Sequence, residues 1–132
     1  MAFFRAAICG GGGGGDMSVH YVNARGESGH AKTETITITK AVSKFVVLTN
    51  LWNGASGTYA QFYKLKINGT EYTSWKNNMV PIGRTSNGTL TSAYSCWYAL
   101  ETKTLNVGDV VEIDLSSAGA TSNYGFGIVL LE

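Results

Sequence analysis

The chain predicts an all-β fold, an antiparallel β-sandwich or jelly roll of seven or eight strands carrying an extended N-terminal arm. Three observations lead there. Charged residues make up 14% of the 132 residues, against about 25% in an average soluble domain, while Thr, Ser, Asn and Gly are frequent. Apolar residues recur with a period of two, as in "TETITITK", and no stretch carries the helical period. Turn signals separate these short runs, the clearest being Asn68-Gly69.

The chain opens with an apolar peptide, Met1 to Cys9, then six glycines, Gly10, Gly11, Gly12, Gly13, Gly14 and Gly15, closed by Asp16. Six glycines lose more backbone entropy on ordering than any other six residues, so they serve separation rather than stability. Extended, they span roughly 20 Å. Residues 1–16 are therefore an anchor peptide on a tether, and residues 17–132 the sandwich. Phe3, Phe4 and Ile8 are each worth roughly 1.5–3 kcal/mol if buried in a partner, and Arg5 stands among them as the anchor's cation.

In "TETITITK" Ile36 and Ile38 face the core and the threonines face out. "KFVVLTNLW" is apolar on both faces through Phe45, Val46, Val47 and Leu48, and loop chemistry follows at "NGASG". "QFYKLKINGTEYTSW" reads as a hairpin on a type I′ turn. In that register Lys66 opposes Glu71 as a charge pair and Phe62 opposes Trp75; Tyr63, Leu65, Ile67 and Tyr72 face the core, with Phe62 and Trp75 on the other side.

"NNMVPIGRTSNG" is loop-like around Pro81. "TLTSAYSCWYALETKTL" comes next as a long strand, its core face expected on Leu90, Tyr94, Cys96, Tyr98 and Leu100 and its other face on Ala93, Ser95, Trp97, Ala99 and Glu101. After a turn at Gly108-Asp109, Val111, Ile113 and Leu115 point in while Glu112 and Asp114 point out. "NYGFGIVLLE" ends apolar on both parities, with Ile128 and Leu130 on one and Val129 and Leu131 on the other, and is expected to be covered on both sides.

Several chemistries find no footing. The glycine run lacks the Gly-Lys-Ser/Thr and flanking strand of a phosphate loop. His20 and His30 have no Cys or carboxylate at metal-ligand spacing, so neither metal nor cofactor is expected. Glu112 and Asp114 alternate on one strand face, as solvent-facing acids do, whereas glycosidase carboxylates face each other across a cleft. Ser56, Ser74 and Ser86 sit in no nucleophile-elbow context. The expectation is a protein without catalytic residues.

Ten scattered basic residues and a net charge of +1 offer no stripe for nucleic acid. No apolar run is long enough for a membrane helix, and residues 6–9 are too short for a signal-peptide core. Assembly in the cytoplasm is expected, with Cys9 and Cys96 as free thiols; a bridge between them is the alternative.

Aromatic residues remain as candidate contacts. Trp52 and Tyr59, in the loop "LWNGASGTYA", suit sugar stacking; Phe62 and Trp75 share a face turned to water or to a partner. Trp97, among small neighbours, together with Val129 and Leu131, is the candidate subunit interface.

The combination of "MAFFRAA", "GGGGGG" and a strand-rich remainder ending in "YGFGIVLLE" resembles the small virion proteins of tailed bacteriophages, in which an N-terminal anchor and glycine-rich linker carry a β-sandwich head. The resemblance implies a non-enzymatic, repeated, trimeric component of the particle surface, assembled in the bacterial host cytoplasm. Its partners would be other virion proteins and copies of itself, as a head decoration, head fibre or tail component. The alternative is a receptor-binding or carbohydrate-binding module that meets host glycans through its aromatic loops.

Overall fold

A computed structural model describes residues 16–23, 31–52, 62–81, 95–118 and 123–132. Residues 1–15 of the anchor and tether, Tyr59, His30, Leu90 and the loops around them lie outside these residues.

The strands are β1 (Met17–Asn23), β2 (Thr33–Thr37), β3 (Lys44–Trp52), β4 (Lys64–Ile67), β5 (Thr70–Glu71), β6 (Val80–Pro81), β7 (Ser95–Glu101), β8 (Val110–Asp114) and β9 (Asn123–Leu131). They form two antiparallel sheets, one five-stranded in the order β1-β9-β3-β7-β6 and one four-stranded in the order β2-β8-β4-β5. This is the all-β sandwich that the alternating runs predict. The chain crosses between sheets repeatedly: β1, β3, β7 and β9 lie in one, with β2, β4 and β8 in the other.

Between the sheets lies a core of Val22, Phe45, Val47, Phe126, Ile128 and Leu130 from the five-stranded sheet. It meets Ile36, Leu65, Val111 and Ile113 from the four-stranded one. Aromatic rings lock its centre, with Tyr63 edge-on to Phe126 at 5.5 Å and Trp75 at 5.6 Å from Phe126. Burial pushes the Tyr63 phenol far above its ordinary range, and the nearby Tyr124 and Cys96 add to the effect. Its hydroxyl donates to the Asn50 carbonyl at 3.0 Å.

The Asn68-Gly69 turn is as predicted: φ is +52° at Asn68 and +81° at Gly69, the two left-handed positions that a type I′ turn demands. Beyond the turn the chain leaves the expected hairpin. β5 ends after two residues, and the backbone winds into a 3-10 turn, Ser74–Asn77, that swings Trp75 into the core at 0% exposure. Trp75 is therefore a core residue and not a surface contact, and it does not oppose Phe62. Phe62 is half-buried, packed 5.6 Å from Tyr124. A ring the size of Trp75 gains more from burial than continued strand pairing would supply.

The Lys66–Glu71 charge pair is also corrected. The two are register partners, but Lys66 Nζ lies 3.1 Å from Glu112 on the opposite neighbour, β8, and Glu71 is taken by Lys76 at 3.4 Å. The Glu112 hydrogen bond raises the Lys66 pKa. β4 is an interior strand with a partner on each side, so its lysine had two carboxylates to choose from.

On β7 the expected parity is inverted. Trp97, Ala99 and Glu101 face the core, whereas Cys96, Tyr98 and Leu100 lie on the outer face, Leu100 at 49% exposure. Size alone pointed the other way. Glu101 tolerates its 5% exposure because Tyr72 Oη and Asn78 Nδ2 donate to its two oxygens at 3.3 and 3.4 Å. Pro81 belongs to a short edge strand, where its missing N–H costs no ladder bond. Asp114 lies on the outward parity but is 7% exposed, its Oδ1 accepting from the Ser116 amide at 2.6 Å.

Candidate binding face

The two sheets turn unlike faces outward. On the four-stranded sheet the outward rows are Thr33, Asp114 and Lys64, then Thr35, Glu112, Lys66 and Glu71, then Thr37 and Val110, the one apolar residue among them. Charges and hydroxyls dress this side for water.

On the five-stranded sheet the registers align four outward rows. Met17, Leu131 and Lys44 form the first, and Val19, Val129, Val46 and Leu100 the second. Tyr21, Gly127, Leu48, Tyr98 and Val80 form the third, and Asn23, Gly125, Asn50 and Cys96 the last. Lys44, at one corner, is the single charged residue in these rows. Val19, Tyr21, Val80 and Leu100 are each 41–49% exposed, and contiguous apolar surface of this kind marks an interaction site.

The face is not flat. Gly125 and Gly127 remove the side chains from the middle of β9 and sink a trough between β1 and β3 of about 340 Å³, lined among others by Tyr21, Leu48, Asn50 and Cys96. The Tyr21 ring leans over it: a Cβ added at Gly125 would lie 3.2 Å from Tyr21 Cε2. Asn23 Nδ2 donates to Tyr21 Oη at 2.9 Å and so holds the ring. Across the trough the Cys96 thiol donates to Asn50 Oδ1 at 3.8 Å. Chemically this is an apolar floor with one aromatic wall and amides at one end, suited to stacking and hydrogen bonding rather than to acid–base work.

Of the residues that the sequence singles out, Val129 and Leu131 lie on this face, half-buried. Trp97 does not. It lies on the inward parity at 8% exposure, with no hydrogen-bond partner for Nε1 among the described residues. Trp52 ends β3 opposite Asn123, and its side chain falls outside the described residues, as do Tyr59, Phe3, Phe4, Arg5, Ile8 and Gly10 to Gly15. Cys96 is a free thiol. Val19, Tyr21, Leu48 and Leu100 join the face unannounced, although "MSVHYVN" carries a period of two that places Val19 and Tyr21 on one side.

A second, smaller cleft of about 210 Å³ opens between the sheets beside β1 and β2, lined among others by His20, Ile38 and Leu130. At this edge His20 Nδ1 lies 2.7 Å from Glu34 Oε1, tying the first strands of the two sheets together. Among the described residues no group of three or more His, Cys, Asp or Glu could hold a metal, and no helix is long and apolar enough to cross a membrane.

No known protein family matches the chain, and no curated protein does. Among solved structures, it is similar to the catalytic unit of the GH87 α-1,3-glucanase of Streptomyces thermodiastaticus, at 14% identity and a TM-score of 0.39. The match covers 90% of this chain and 26% of that one, so the chain spans about a quarter of the glucanase unit's length. It is also similar to the family 3a carbohydrate-binding module of the cipA scaffolding of Clostridium thermocellum, at 14% identity and a TM-score of 0.28, covering 89% of this chain and 76% of that one.

Proposed function

We propose that this chain is a non-catalytic β-sandwich binding module that works through the outer face of its five-stranded sheet. The observation that carries the reading is the contrast between the two outward faces, one charged and hydroxylated, the other uncharged but for Lys44. A sheet face left for water acquires polar residues at alternate positions; this one has Val, Leu and Tyr there.

A carbohydrate is one ligand class that the trough supports. A pyranose ring presents a flat apolar C–H face that stacks on an aromatic ring, and its hydroxyls need amides of the kind that Asn23 and Asn50 supply. Tyr21 is then the platform. Screening the full-length chain and its Tyr21→Ala variant against arrayed glycans tests this. Binding that Tyr21→Ala abolishes is the expected result, and no glycan bound by either protein removes the reading.

The second reading is the virion accessory module, in which the sandwich is displayed by the Met1–Gly15 arm and the same face meets a neighbouring protein. Its support is the anchor-like composition of that arm together with Val129 and Leu131 on the uncharged face. In a jelly-roll reading of the strand orders, both termini of the sandwich belong to that one sheet, since β1 and β9 are neighbours in it. A chain lacking residues 1–15 is expected to fold but not to be incorporated into its assembly; normal incorporation would refute the anchor.

A further inference from the structure

We infer that the outer face of the five-stranded sheet pairs with a second copy of this chain. The inference rests on the proposal that this face is the working surface, and it names the partner.

Extent comes first. Five strands about 4.8 Å apart, bearing four outward rows about 6.8 Å apart, cover roughly 500–600 Å² per copy. Two copies laid face to face would bury roughly 1,000–1,200 Å², the lower end of what a specific interface needs. Sheets stack in this way in sandwiches, about 10 Å apart with interdigitating side chains. Relief for such interdigitation is present: Val19 and Tyr21 rise on β1, Leu100 and Val80 on β7 and β6, and between them Gly125 and Gly127 leave a recess.

Charge then selects the occupant. When a surface meets its own copy, any charge near the symmetry axis meets its like, and burying such a pair is costly. A face evolved for a different protein escapes this rule and commonly carries complementary charges for steering and register. Here the second, third and fourth rows hold no charge at all, and Lys44 sits at the corner of the first. The nearby charges, Lys40, Asp16 and Glu132, are occupied with one another at 3.2 and 3.9 Å beyond the Met17–Leu131 end. Neutrality in the middle with charge at the margin is a pattern that suits self-pairing.

The test is the solution mass of the full-length chain by sedimentation equilibrium across a concentration series, beside Val19→Lys, Leu100→Lys and the control Val107→Lys. Val107 is 66% exposed in the turn before β8, off the face. The wild type and Val107→Lys are expected at no less than twice 14.1 kDa, with the two face variants at least two-fold lighter at the same concentration and unchanged in circular dichroism. A monomeric wild type at hundreds of micromolar overturns self-pairing and leaves the binding face to its glycan test. Oligomers that both face variants preserve overturn self-pairing through this sheet and count against the face as the working surface. Should either face variant fail to fold, Val46→Ser and Val129→Ser, smaller changes in the same row, replace it with the same expected direction.

Discussion

The Asn68 side chain clamps Asp109: Nδ2 donates to Asp109 Oδ1 at 3.0 Å, while Asn68 Oδ1 accepts from the Val110 amide at 2.9 Å. One residue thereby sets the left-handed corner of the β4–β5 hairpin and fastens it to the start of β8. Asn68→Ala is expected to lose about 1–2 kcal/mol, combining left-handed strain with the lost hydrogen bonds. Asn68→Gly keeps the backbone freedom and should lose only the hydrogen-bond part. Urea denaturation separates them, and equal losses would show that the conformational part is absent.

Acid should weaken the same joint. The Asn68 amide first, and the Asn106 backbone N–H at 2.8 Å second, hold the Asp109 carboxyl below the usual carboxylate range. A carboxylate whose pKa is depressed by folding stabilises the fold above its unfolded pKa, about 3.9 for Asp, and loses that contribution as the pH falls through the folded value. Asp109→Asn should therefore melt below the wild type at pH 7, with the gap closing in strong acid. A gap that does not change with pH would place the effect in packing instead.

Trp75 should be more costly to truncate than Trp97. At 0% exposure, stacked near Phe126, its replacement by Ala is expected to cost about 3–5 kcal/mol. Trp75→Phe should cost much less than it would for a hydrogen-bonded tryptophan, because Nε1 has no partner among the described residues and so no hydrogen bond is lost. Thermal melts of the pair check both statements.

The two trough glycines should answer differently to a methyl group. At Gly127 an added Cβ would meet the His20 backbone carbonyl at 3.2 Å, and a paired strand cannot retreat easily, so Gly127→Ala is expected to destabilise by about 1 kcal/mol. At Gly125 the neighbour is the far end of the Tyr21 side chain, which can give way by yielding its exposed hydrogen bond from Asn23. Gly125→Ala should leave the melting temperature nearly unchanged while reducing any binding that uses Tyr21. A loss of stability equal at both sites would mean that the ring is fixed.

Much of the sandwich is legible in the sequence because period-two patterning and turn chemistry act locally. The limits of β3, the Asn68 turn and the inward parity of β8 all come from a few adjacent residues, whereas β9, expected to be covered on both sides, buries Ile128 and Leu130 but leaves Val129 and Leu131 half-buried on the outer face. The features that escape depend on residues far apart in sequence. β7 reads backwards because its outer face is as apolar as its inner one, and only Glu101's donors, Tyr72 and Asn78, explain why an acid faces the core. Trp75 reads as a strand residue because nothing within the hairpin announces the 3-10 turn. The candidate face is half visible: Val129 and Leu131 stand out as surplus apolar residues, whereas Val19, Tyr21 and Leu100 join them only once β9 lies between β1 and β3. The Asn68 and Gly108-Asp109 turns are each evident alone, but their mutual fastening is not.

The position of β9 bears on how the molecule comes into being. It is the last of the described strands to leave the ribosome, yet it is the neighbour of both β1 and β3, and β1 has no other partner among the described strands of its sheet. Until residues 123–131 are translated, the larger sheet has a vacancy at its heart and its opening strand has nothing to zip against. Pairing between strands at opposite ends of the chain is slow to nucleate, and during that wait the greasy stripes of β3 and β7 lie bare to other nascent chains. A chain that stalls before β9 would thus be an aggregation hazard rather than a shorter version of the same protein.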